Sequence, residues 1–89
     1  MFTDPFANIV DSPTSPAQDC FAIVPDDTSD LPQATKAIYV GQGGDIVLLA
    51  VRAETEVTFR NVASGAILDV RARAVRATGT SAADIVGLA

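Results

Sequence analysis

The chain has 89 residues, of which 48 % are hydrophobic but only 6 % aromatic with no Trp, so a single modest core must be assembled from Val, Ile, Leu and Ala. One cysteine and no histidine exclude an intrachain disulfide, a His-based triad, a His-ligated zinc or haem and a His proton switch. The net charge of −5 is uneven: residues 1–33 hold six Asp and no cation, whereas residues 34–89 hold five acids and six bases, a balance that disfavours a nucleic-acid partner.

Residues 1–18 contain Pro5, Pro13 and Pro16 among Asp, Ser and Thr. Proline removes backbone donors and restricts φ, so neither a central strand nor a long helix is expected here. The segment reads as an extended N-terminal arm ahead of a single β-domain at 19–89. Phe6, Ile9 and Val10 fit the spacing of one helical turn. Two readings of the arm stand side by side: a solvated terminus, or an arm whose Phe2 and Phe6 dock on another surface. Two phenylalanines in six residues are uncommon in a purely solvating tail. The segment lacks the basic start and continuous apolar stretch of a signal peptide, and the longest apolar run, Ile46–Val51, is far too short to span a bilayer. Synthesis in the cytoplasm and no membrane contact are expected.

Cys20-Phe21-Ala22-Ile23-Val24, ended by Pro25, reads as a first strand at a sheet edge. Cys20 is expected as a small buried hydrophobe, with a reactive thiol as the lesser alternative. Asp26-Asp27-Thr28-Ser29-Asp30 invites a calcium reading, but the sixth position is Leu31 and the twelfth Ala37, where an EF-hand needs Gly and Glu. Asx and Ser/Thr turns explain this composition better.

Ala37–Val51 holds two β-rich runs around Gly41-Gln42-Gly43-Gly44, which carries three of the six glycines. This pattern predicts a β-hairpin. Its second arm is apolar on both faces: Ile46, Leu48 and Ala50 point one way, and Val47, Leu49 and Val51 the other. Such a strand needs cover on both sides. The domain's own core supplies one cover, and a neighbouring subunit is expected to supply the other, through Val47, Leu49 and Val51.

Arg52–Thr55 reads as a polar turn. Val57 and Phe59 alternate with Thr58 and Arg60 as a half-buried strand, and Asn61–Gly65 turns the chain. Ala66–Ala77 is the longest candidate strand, with Leu68, Val70, Ala72 and Ala74 on one face and a bulge expected at Val75-Arg76. After a turn at Thr78–Ser81, Asp84–Ala89 is a last strand, expected to be paired. About six short strands without a long helix predict an all-β fold, a small antiparallel sandwich or barrel.

No catalytic constellation emerges. Ser and Thr lack an activating His, and Lys36 reads as a surface residue. Glu54 and Glu56 fall in a polar turn, and the glycine-rich stretch lacks the Lys-Ser/Thr of a phosphate loop. No cofactor, no metal and no enzymatic activity are expected. Arg71, Arg73 and Arg76 form the densest basic feature. They read either as a solvated strand face or as a contact with acids of a neighbour, for which the acidic segment 1–33 of a second copy is a candidate.

Several phrases in fixed order carry a resemblance over residues 12–89: Ser15-Pro16-Ala17, Phe21–Asp27, Asp30-Leu31-Pro32, Thr35–Gly41 with Gly44-Asp45, Val57-Thr58-Phe59 with Asn61-Val62, and Arg76–Thr80 through Asp84-Ile85-Val86. The series resembles the head-spike base proteins of gene transfer agents and related alphaproteobacterial tailed phages. The resemblance implies a non-enzymatic structural protein on the outer face of a phage-like head. It further implies a homopentamer on the capsid fivefold vertices, contacting the major capsid protein and anchoring a spike fibre used in host attachment. A carbohydrate-binding module that touches the host capsule directly is one alternative, although Tyr39 is the only Tyr and Trp is absent. A tail or baseplate adaptor is the other.

Overall fold

In the computed structural model, which describes residues 2–89, the chain is all-β, with seven strands in two antiparallel sheets. Met1, the first residue of the expected arm, lies outside the described residues. The strands are β1 (Cys20–Ile23), β2 (Ala37–Gln42), β3 (Gly44–Ala50), β4 (Val57–Val62), β5 (Ala66–Leu68), β6 (Ala72–Arg76) and β7 (Ala83–Leu88). One sheet has the order β1-β7-β2-β5 and the other β4-β3-β6. The β-sandwich expected from strand count and turn spacing is thus the architecture found.

Alternation of side chains builds the interior. In the four-stranded sheet, Ile23, Ile85 and Val40 lie in register across β1, β7 and β2. The next row inward places Phe21 opposite Gly87 and Gly87 opposite Ile38. Here the Phe21 ring fills the space over Gly87, where an added Cβ would come within 2.6 Å of it. The three-stranded sheet answers with Ile46, Leu48, Ala72 and Val75, and Ala82 closes the same cluster. Ile38, Val40 and Ile46 are wholly shielded from solvent. Aliphatic side chains therefore fill the interior, as the low aromatic content requires.

The expected hairpin is absent. β2 and β3 are separated by Gly43 alone, yet they belong to different sheets. The glycines serve close approach of backbones at this sheet-to-sheet corner. A Cβ on Gly43 would lie 2.2 Å from the Val62 carbonyl oxygen, and one on Gly41 would lie 2.7 Å from that of Asp84. A second correction concerns Ala66–Ala77. It is two strands in different sheets, β5 and β6, joined by a crossover at residues 69–71. The expected bulge lies earlier as well. Leu49 pairs with Ala74 and Ala50 with Ala72, which leaves Arg73 as the extra residue. A further bulge extends β4 through Asn61, at φ 56°, where a turn was expected. The Asp45 carboxylate accepts a hydrogen bond from the Asn61 amide at 2.9 Å and stabilises that bulge. Val57, expected to be half-buried, is exposed at the start of edge strand β4.

Loops complete the structure through side chains. Among the described residues, Thr35 is the fully buried polar one. Its hydroxyl donates to the Val70 carbonyl and accepts from the Ala72 amide, each at 3.1 Å, fastening the segment before β2 to the β5–β6 crossover. Within the acidic stretch, Asp26 accepts from the Thr28 amide and hydroxyl and from the Ser29 amide, the Asx turn expected from composition. Asp27 reaches across to the β6–β7 turn, accepting from the Ala77 and Thr78 amides and from the Thr78 hydroxyl at 2.6 Å. The Thr78 hydroxyl, and then its amide, hold the Asp27 carboxyl below its ordinary value of 3.8.

Three outcomes are expected. Thr35→Val leaves two buried backbone groups unpaired and should lower unfolding free energy by about 1–3 kcal/mol in urea titrations, whereas Thr35→Ser should retain most of it. Gly43→Ala, which drives a methyl group into a carbonyl oxygen, should cost more than Gly65→Ala. At Gly65, φ is 82° but the space is open, so the cost there is the left-handed backbone strain of about 1–2 kcal/mol. A carboxylate with a depressed folded pKa contributes stability that is complete above the ordinary value and is lost as pH falls through the folded value. Thermal midpoints should therefore drop below pH 3.8, and Asp27→Asn should flatten that drop.

Candidate assembly surfaces

The residues singled out from the sequence fall into two groups. Val47, Leu49, Val51, Arg71, Arg73 and Arg76 are brought together along β3 and β6. Val47 stands opposite Arg76 and Leu49 opposite Ala74, on the face of the three-stranded sheet turned away from the core. The Val51 amide donates to the Arg71 carbonyl at 2.9 Å, which carries the association past the end of β3. Phe2 and Phe6 are not part of this group; both lie on the arm and are exposed.

Much of the β3–β6 face is covered by its own chain. Leu49 is only 4 % exposed, so it offers nothing to a neighbour, and Val47 and Val51 are half-buried. The β6–β7 turn lies over Val47: the Val47 amide donates to the Thr80 hydroxyl at 3.0 Å, and an added Cβ on Gly79 would lie 3.0 Å from a Val47 methyl group. Two arginines are likewise engaged within the chain. Arg76 donates to the Asp26 and Ser29 carbonyls and lies 3.8 Å from the Asp30 carboxylate. Arg73 donates to the Ala53 carbonyl at 3.2 Å. Acids of segment 1–33 do face an arginine, then, but within one chain. Arg71 remains exposed. Loops 26–31 and 51–56, which alternation along β3 does not reveal, supply these internal partners.

The arm is rooted on the domain and open beyond its root. Lys36 forms an ion pair with Asp11 and donates to the Pro16 carbonyl at 3.1 Å. The Lys36 hydrogen bond holds the Asp11 carboxyl below its ordinary value. The Gln18 and Asp19 amides donate to the Ala89 carbonyl, and the Ala89 amide returns a bond to Asp19. Further out, the Ile9 amide bonds to the Phe6 carbonyl at 3.0 Å, a single turn that leaves Phe6, Ile9 and Val10 exposed.

A third surface was not singled out from the sequence. On the outer face of the four-stranded sheet, Ala22, Val86, Tyr39 and Ile67 form a row in register across β1, β7, β2 and β5. Cys20, Leu88 and Ala37 form the next row. Ile67 is 63 % exposed and Tyr39 38 %. Cys20, expected as a buried hydrophobe, is exposed here because its parity along β1 is opposite to that of Ile23. The signal was present: Cys20–Val24, Ala37–Val40 and Ile85–Leu88 are apolar at both parities, the same mark that drew attention to Ile46–Val51. Among the described residues, no group of three or more His, Cys, Asp or Glu is placed to hold a metal.

No family model and no curated protein matches the chain. A solved structure does, described as the capsid of a native GTA (gene transfer agent) particle computed with C5 symmetry. The two chains share 39 % identity over 98 % of this chain and 100 % of that one, with a TM-score of 0.86. Likeness in sequence and in fold thus runs the full length of both. The chain belongs to the structural capsid proteins of gene transfer agent particles.

Proposed function

We propose that this protein is the base of a head spike, seated on the outer face of the head at capsid fivefold vertices and anchoring a spike fibre that attaches to the cell surface. The observation that carries the reading is the full-length match to a capsid chain from a particle structure computed with C5 symmetry. Fivefold symmetry in that particle supports five copies of this chain around one vertex, touching one another, the major capsid protein below and the fibre above. The molecule is suited to the task physically. Its rigid sandwich exposes apolar surface on one sheet and on an arm, and a closed ring satisfies such surface without open-ended growth. Repetition of modest contacts around a vertex gives avidity that no single contact supplies. The role calls for no catalytic residue.

Imaging of particles that carry a tagged copy tests the reading. Label at the vertices, with five copies in the averaged density and loss of the fibre when the protein is deleted, is the expected result. Label on the tail with fibres intact in the deletion would overturn it in favour of a tail adaptor. Glycan-array binding by the isolated chain would argue for direct contact with the host capsule.

A further inference from the structure

Asp84, the second residue of β7, is held at φ 54°, in the left-handed region that costs an L residue energy and that glycine adopts freely. Its neighbour on β2 is Gly41, which lies between the register pairs Val40–Ile85 and Gln42–Ala83. A Cβ on Gly41 would lie 2.7 Å from the Asp84 Cβ. Gly41 shares parity with Tyr39, so that space belongs to the outer face of the four-stranded sheet. A strained backbone and a missing side chain together let the Asp84 side chain rise from the outer face, where it is exposed.

The neighbouring row on that face, Val86, Tyr39 and Ile67, is apolar and lies about 7 Å away. The face therefore joins apolar surface to one carboxylate at its corner end. The ion pairs among the described residues use Asp11, Asp45 and Asp30, and none reaches Asp84. The chain has little to offer it. Lys36, Arg60 and Arg76 are taken by those pairs, and Arg73 by the Ala53 carbonyl. Residues 1–33 hold no cation. Arg52 and Arg71 are exposed, but they lie past the far end of β3, a strand about 20 Å long that starts at the corner near Asp84. A second copy packed alongside with its strands parallel would bring its own Asp84 to this end, not a cation.

We propose that the outer face of the four-stranded sheet seats a different protein of the particle through an Arg or Lys set among apolar residues. The cation meets Asp84, and its aliphatic stem lies across Val86 and Tyr39, as long cationic side chains cover apolar surface while keeping the charged head polar. The Tyr39 ring adds attraction for the same cation. Apolar neighbours of that residue cover Ile67. The proposal rests on the reading above that the chain sits among other proteins of the particle, and it names the chemistry of one contact.

The test uses assembled particles. Chain carrying Ile67→p-benzoylphenylalanine, illuminated within purified particles, should cross-link to another particle protein in a segment that holds Lys or Arg beside apolar residues. Asp84→Asn should raise the chain concentration that half-fills particles lacking it by about tenfold or more. Asp84→Gly should weaken filling equally while raising the thermal midpoint of the free chain, since it relieves the backbone. Asp84→Lys should abolish filling, and reversing the charge of the cross-linked cation should restore it. Cross-links from position 67 to a second copy, or none, would overturn the proposal. So would filling that ignores Asp84→Asn, and both results leave the chain's place in the particle standing. Unaltered chain that is absent from particles would overturn that reading as well.

Discussion

At one corner of this molecule, backbone runs against backbone with no room for a side chain between them, and the sandwich depends on that passage. The chain leaves one sheet at Gln42 and enters the other at Gly44. Across this step it passes Val62 and Ser64 on one side and Ser81 and Ala82 on the other. The Gly43 amide donates to the Ser64 hydroxyl and the Asp45 amide to the Ser81 hydroxyl, so the polar groups exposed at the corner are paired. With the corner fixed, β2 and β3 must face each other across the interior, and Ile38 and Val40 meet Ile46 and Leu48 there. A local steric allowance thus sets the global pairing of the sheets.

The contrast between what the sequence disclosed and what it concealed follows from the range of each signal. Alternation is local, so Ile38 and Val40 were legible as strand residues, as were Ile46, Leu48, Phe59 and Ile85. Strand partners are non-local. Gly41–Gly44 reads as a hairpin loop because glycine at a strand junction has two physical uses, positive φ and close approach, and the sequence does not distinguish them. Ala66–Ala77 reads as one strand because its small residues keep alternating through the crossover, although Thr35, more than thirty residues earlier, captures the backbone at Val70 and Ala72. The acidic stretch was legible as turns, but its second task was not: Asp27 holds a turn fifty residues away.

The candidate surfaces show the same division. The two-faced character of β3 was visible, and one face does need cover, but loops of the same chain supply most of it. The sheet face that stays open belongs to strands whose two-faced character is equally clear in the sequence, yet which are shorter and punctuated by Ala and Gly. A capsid protein of a gene transfer agent particle is under a constraint that an isolated domain is not. Its surface has to be sticky where a copy or partner lies and inert elsewhere. Here the inert part is the edge of β6, where the Asp26, Leu31 and Thr35 amides donate to the Val75, Arg73 and Ala72 carbonyls and leave little to pair with another strand.

The paired backbone of Asp19 and Ala89 also has a mechanical meaning. It joins the root of the arm to the far end of β7, beside the start of β1. A pull on the arm directed along β1 enters the four-stranded sheet parallel to its strands. It loads the β1–β7 ladder from Cys20–Leu88 to Ile23–Ile85 in shear, with all the hydrogen bonds sharing the force. A peeling load would break them one at a time. Because β7 is also paired with β2, tension reaching it spreads into the middle of the sheet. The domain is thus built as a clamp at the point where its arm emerges.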